Sequence, residues 1–237
     1  MSVPGKTNAQ RMAHELSYWE NGGAAVYDLH LDTYLSCFPM DMIDYAAEGI
    51  MDVGSGALSV FEKIAPDDAA VTPFDVLADE YNRLSPQKKF KIQNSISTDS
   101  RFTLITLFNM LDHVDDPDDL LLFIREHLEE TGRVWLAVHL YRPHGIEGHP
   151  QKFTCRTIVS LLSRYFSIES SRLIREGVPI PYMWCGVLRA KANKGRFPLI
   201  VVIRNYLAYS RMQSVRIIVK LMKTFGLRRL LPKAWQF

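Results

Sequence analysis

Gly49-Ile50-Met51-Asp52-Val53-Gly54-Ser55-Gly56-Ala57-Leu58-Ser59 decides the fold. A short apolar run ends in Gly-x-Gly, and Leu58, Val60, Phe61 and Ile64 follow at helical spacing, so the stretch predicts a strand, a tight turn and a helix. Small residues in such a turn let a ligand come close to the backbone, and the opening of a helix offers amides without partners. A second acid, Asp75, follows Asp52 by 23 residues, at the end of a second predicted strand over 69–74. A carboxylate there can accept from both hydroxyls of a ribose. Ser59 stands where the third glycine of Gly-x-Gly-x-x-Gly would be, which favours a nucleoside-type cofactor smaller than a dinucleotide.

Outward from this unit, Met12, Leu16 and Trp19 form an apolar stripe that predicts a helix over Asn8 to Asn21, stopped by Gly22 and Gly23. Residues 31–48 are expected to be a helix or an irregular cover. Ala78 to Leu84 follows as a helix, and Arg101 to Phe108 as a strand buried on both faces. Asp115 to Glu130 is expected to be a helix with Pro117 and acids at its start, ended by Thr131-Gly132. Then come a strand (Arg133 to Leu140), a helix (Thr154 to Tyr165) and two closing strands (Ser167 to Arg175, Tyr182 to Ala190). This alternation predicts an α/β, doubly wound, mostly parallel sheet with helices on both faces. Residues 1–195 would form this body, with 1–48 as its helical cover, and 196–237 a basic helical extension.

The 237 residues, 47% hydrophobic and 23% charged, suffice for one folded domain with a sizeable core and exclude wholesale disorder. Cys37, Cys155 and Cys185 lack any Cys-x-x-Cys spacing, so three reduced thiols in a cytoplasmic protein are expected. Neither a signal peptide nor a membrane-spanning run is expected.

Met51-Asp52-Val53-Gly54-Ser55-Gly56, then Asp75 in Phe-Asp-Val-Leu-Ala-Asp-Glu-Tyr, then Leu107-Phe108-Asn109-Met110-Leu111-Asp112-His113-Val114-Asp115-Asp116-Pro117 resemble the class I S-adenosylmethionine-dependent methyltransferases. More narrowly, the chain from about residue 10 to 190 is similar to bacterial members associated with sugar and cell-surface polysaccharide modification. The resemblance implies a Rossmann-like, seven-stranded sheet and S-adenosylmethionine as cofactor. Asp52, Gly54, Ser55 and Gly56 would surround the methionine moiety, Asp75 would hold the ribose, and Asn109 and Met110 would line the methyl-transfer side. The acceptor would be a saccharide or lipid-linked glycan; a small metabolite or quinone-like lipid, or a non-catalytic scaffold, are the alternatives.

Methyl transfer to a hydroxyl needs an aligned acceptor and a base, and histidine titrates in the right range. His113, just past a strand end, is the expected base, with Asp112 orienting it; the other role for this pair is to cap the next helix. His139, His144 and His149 with Glu147 match no helical metal-binding spacing, so no metal is expected. Their loop would line the acceptor, with His149 touching it and Arg142 meeting an anionic group.

All 26 acids lie at or before Glu176, and twelve of the 28 Lys and Arg lie after it, giving a formal −10 before and +12 beyond. Within the tail, Val215, Ile218, Val219, Met222 and Phe225 recur at spacings of three and four beside Arg216, Lys220 and Lys223. Such a helix suits an anionic membrane surface, placing the protein peripherally on the inner face. Packing on the body or in a homodimer competes with this, whereas nucleic acid is disfavoured because few aromatics are present to stack on bases.

Overall fold

The computed structural model describes residues 8–22, 31–140, 150–175 and 182–191. Six strands form one sheet: β1 (Ile50–Val53), β2 (Val71–Phe74), β3 (Phe102–Phe108), β4 (Leu128–Leu140), β5 (Phe166–Arg175) and β6 (Tyr182–Ala190), in the order β2-β1-β3-β4-β6-β5. The first four run parallel, and β6 is antiparallel to both β4 and β5. The helices are α1 (Asn8–Glu20), α2 (residues 31–37), α3 (Phe61–Ile64), α4 (Ala78–Leu84), α5 (Pro117–His127) and α6 (Cys155–Leu162).

Alternation along the central strands divides the core in two. Met51, Val53, Ile105, Leu107, Leu136 and Val138 pack on one face with Leu121 and Ile124 of α5 and Ile158 and Leu162 of α6. Ile50, Leu104, Phe108, Trp135 and Ala137 pack on the other with Tyr34 and Cys37 of α2, Phe38, and Phe61 of α3. A third cluster beside β2 holds Ala57, Leu77, Ala78, Tyr81 and Ile92 under Met12, Leu16 and Trp19 of α1.

Four expectations need correction. Among the described residues the sheet has six strands instead of seven. Outside β2 there is only a parallel bridge between Phe74 and Gln93, because the polar segment around it lacks the apolar alternation a longer strand needs. The helix after the glycine turn shrinks to the single turn α3, starting at Phe61, and the chain reaches Pro66 soon after its end. The helix predicted to reach Glu130 stops at His127, and Leu128 to Gly132 opens β4, with Leu128 paired to Phe102 and the register shifting before Leu104. Gly132 is therefore no helix terminator: a Cβ there would stand 2.7 Å from Leu128 Cδ1 and 3.0 Å from the Phe102 carbonyl, a close approach that only glycine permits. The basic extension lies outside the described residues.

Candidate active site

The carboxyl ends of β1, β2 and β3 converge, and Asp52 binds the strands together just beneath them. It lies opposite Thr106 in register, accepts from Thr106 Oγ1 at 2.6 Å and from Ser59 Oγ at 2.6 Å, and is 3% exposed. Burial pushes its carboxyl up to about 6 against the pull of these hydroxyls, and the nearby charge of Asp75 adds to the rise. Ser59 Oγ also accepts from the Phe61 amide at 3.2 Å, which starts α3. The serine in the third-glycine position thus holds the loop to the strand.

The glycine turn is pinned to the end of β2, with the amides of Gly54 and Ser55 donating to the Phe74 carbonyl at 2.8 and 3.4 Å. Gly54 and Gly56 take φ of 69° and 60°, the left-handed region that glycine enters freely. Asp75 faces this turn. Its Oδ2 accepts from the Gly56 amide at 3.1 Å and its Oδ1 from the Leu77 amide at 2.9 Å, while burial raises its carboxyl above the ordinary value. Two side chains cover the turn: a Cβ on Gly54 would meet Met110 Cγ at 2.4 Å, and one on Gly56 would meet Trp19 Cζ2 at 2.5 Å. Trp19 donates from Nε1 to Glu15 at 3.2 Å and stands edge-on to Tyr81. Gly54, Ser55, Gly56 and Asp75 therefore bring a glycine turn and a buried carboxylate together at the ends of β1 and β2, walled by flexible side chains instead of backbone.

Beyond β3 the chain turns sharply at Asn109, whose φ is 53° and whose amide donates to the Ala137 carbonyl at 2.8 Å. Asn109 Oδ1 meets His139 Nδ1 from the end of β4. His139, grouped by sequence with the acceptor-lining histidines, is 2% exposed at the end of the strand next to β3, and its pairing with Asn109 is what the sequence did not show. Asp112 is buried in the turn that follows and His113 is half-buried. Neither caps α5, because Asp116 does so, accepting from the amides of Asp118 and Asp119 at 2.9 and 3.3 Å. Gln151 brings the later chain back to this turn, donating to the Asp112 carbonyl at 3.2 Å and through its side chain to those of Val114 and Asp115. Arg142, His144 and His149 lie outside the described residues. A surface cavity of about 480 Å³, lined by Arg101, Arg125, His127 and Glu130, opens by the starts of β3 and β4, away from this site. No group of three or more metal-binding side chains occurs among the described residues.

Residues 32–181 match a family model described as a methyltransferase domain. No curated protein matches the sequence. Among solved structures, the chain is similar to the 1,6-didemethyltoxoflavin-N1-methyltransferase of Burkholderia thailandensis, bound to 1,6-didemethyltoxoflavin and S-adenosylhomocysteine. The TM-score is 0.57 at 16% identity over 81% of this chain and 93% of that one. It is also similar to a methyltransferase of Haloferax volcanii in complex with the Trm112 activator (TM-score 0.58, 12% identity, 74% and 97% covered). A third is an S-adenosylmethionine-dependent methyltransferase of Methanosarcina mazei (TM-score 0.51, 18% identity, 65% and 97% covered).

Proposed function

Since the chain belongs to the methyltransferase domain family, we propose that it uses S-adenosylmethionine to methylate a hydroxyl of a saccharide or lipid-linked glycan. The observation that carries the cofactor reading is the Asp75 carboxylate facing the Gly54–Gly56 turn across the ends of β2 and β1. Gly54, Ser55, Gly56 and Asp75 hold the cofactor, with Asn109 and Met110 lining its methyl end. Asp52 acts from beneath, through the Ser59 loop it secures. When bound, S-adenosylmethionine supplies an electrophilic methyl on a sulfonium, so the chain's own work is to align the acceptor and take up its proton. His113 receives that proton and Asp112 orients it, while Arg142 and His149 line the acceptor side.

The glycan reading is supported by the resemblance around Asn109 to Pro117. A small-molecule acceptor is a second reading, favoured by the heterocycle bound in the Burkholderia structure. The basic tail suits an acceptor presented at an anionic membrane surface. No described helix is long and apolar enough to cross a membrane.

Calorimetric titration with S-adenosylhomocysteine tests the cofactor site. Micromolar binding that disappears in Asp75→Ala is expected, and absence of heat at millimolar ligand removes the reading. Transfer of labelled methyl to a lipid-linked glycan fraction or to a small-metabolite fraction separates the two acceptors. Equal flotation of the full chain and a chain lacking residues 210–237 on anionic liposomes removes the membrane role.

A further inference from the structure

We propose that Cys37 and Cys185 form a redox-sensitive latch that closes covalently between α2 and β6. The two thiols come from opposite ends of the chain, 148 residues apart, yet their sulfurs lie 3.0 Å from each other inside one buried cluster. Neither is in a disulfide. A disulfide needs about 2.05 Å between sulfurs, so closure asks for a shift of about 1 Å. Cys155, the third thiol, belongs to the core on the other face of the sheet.

The latch would fix a particular part of the molecule. Cys37 ends α2, whose Tyr34 stacks on Phe108 at 4.5 Å, while the following Phe38 stacks on Phe108 at 5.1 Å and on Trp135 at 5.4 Å. Phe108 is the last residue of β3, directly before Asn109. Cys185 lies opposite Ala137 in the β4 and β6 register. A bond between the sulfurs would lock the aromatic cover down over the strand ends and join it to the antiparallel half of the sheet.

The oxidant class that suits a buried pair is a hydroperoxide, which is small enough to enter. Cys37 is 7% exposed and Cys185 1%, so Cys37 meets it first. The Cys37 thiolate attacks the peroxide oxygen, the O–O bond breaks, and a sulfenic acid forms with release of water or an alcohol. The Cys185 thiol then attacks that sulfur, the S–S bond forms, the S–O bond breaks, and the hydroxyl leaves as water with the thiol proton. One hydroperoxide is reduced for each two thiols oxidised, and a thiol reductant reverses the reaction.

The test treats the full chain with hydrogen peroxide and measures intact mass, a non-reduced peptide map and the melting midpoint. The expected outcome is a loss of about 2 Da, a peptide linking Cys37 to Cys185, and a melting midpoint roughly 5 °C higher that dithiothreitol reverses. Cys155→Ser should keep all three, and both Cys37→Ser and Cys37→Ala should lose them. Gains of about 16 or 32 Da on Cys37 or Cys185 in the parent chain, a linked peptide containing Cys155, or no change at a dose that oxidises Cys155 would each overturn the latch. The peptide map of the parent decides even if a variant folds poorly.

Discussion

Both oxygens of Asp52 accept hydroxyl hydrogen bonds, and the buried carboxyl is lifted to about 6 from an ordinary 3.8. The folded protein therefore keeps a proton in that window after the unfolded chain has released it. Stability from this group is fully present below the unfolded value and is lost as pH rises through the folded one. Asp52→Asn removes the penalty, so its stability advantage over the parent should grow from about pH 4 to about pH 7, reaching at most about 3 kcal/mol. Thermal melts of both proteins across that range check it; a difference independent of pH would clear Asp52 of the effect. Asn109, at φ 53°, gives a second expectation. Asn109→Gly and Asn109→Val both lose the contact to His139, but the valine variant should be less stable than the glycine one by about 1–3 kcal/mol in denaturant unfolding, because a β-branched residue is strained there.

α1 rests on the third core cluster through Met12, Leu16 and Trp19, and it places the Trp19 ring directly on the glycine turn. Trp19→Ala should speed association of S-adenosylhomocysteine several-fold in stopped-flow measurements, while an unchanged rate would put the ring clear of the ligand's path. Gly132→Val should destabilise by about 2 kcal/mol or more, since the Phe102 carbonyl cannot retreat as a side chain can. Elements differ in how plainly the sequence announces them. β1 and β3 are apolar except for Asp52 and two threonines and show no competing period, and α5 opens with acids and a proline, so both strands and the start of α5 were legible. Thr131-Gly132 looks like a helix stop and is a strand irregularity, a difference decided by pairing with Phe102, which local sequence does not encode. The site was legible where it depends on backbone, at Gly54–Gly56 and Asp75. It was obscure where distant side chains meet, as with Trp19 over Gly56 or His139 against Asn109.

Across the whole molecule, the central strands carry the load of both cores, and Leu136 of β4 is fully buried among residues of α5 and α6. Leu136→Ala should cost about 2–5 kcal/mol, lowering the melting midpoint by roughly 5–15 °C without touching the ligand cradle on the other strands. A cradle variant such as Asp75→Asn, which keeps an acceptor for the Gly56 and Leu77 amides, should do the reverse, sparing most of the stability while weakening ligand binding.

The sheet also ends, on its antiparallel side, in a ten-residue outer strand among the described residues, β5. An outer strand of this length is a template on which a second chain can crystallise into an ever-growing ribbon. Two features spoil the template: the irregularity between Ile168 and Ser170 breaks the row of backbone groups, and Glu169 sits at that break with its charge matched by Arg189. Replacing Glu169 by valine would neutralise the margin and leave the irregularity as its remaining protection, so the variant should aggregate sooner than the parent in concentrated solution.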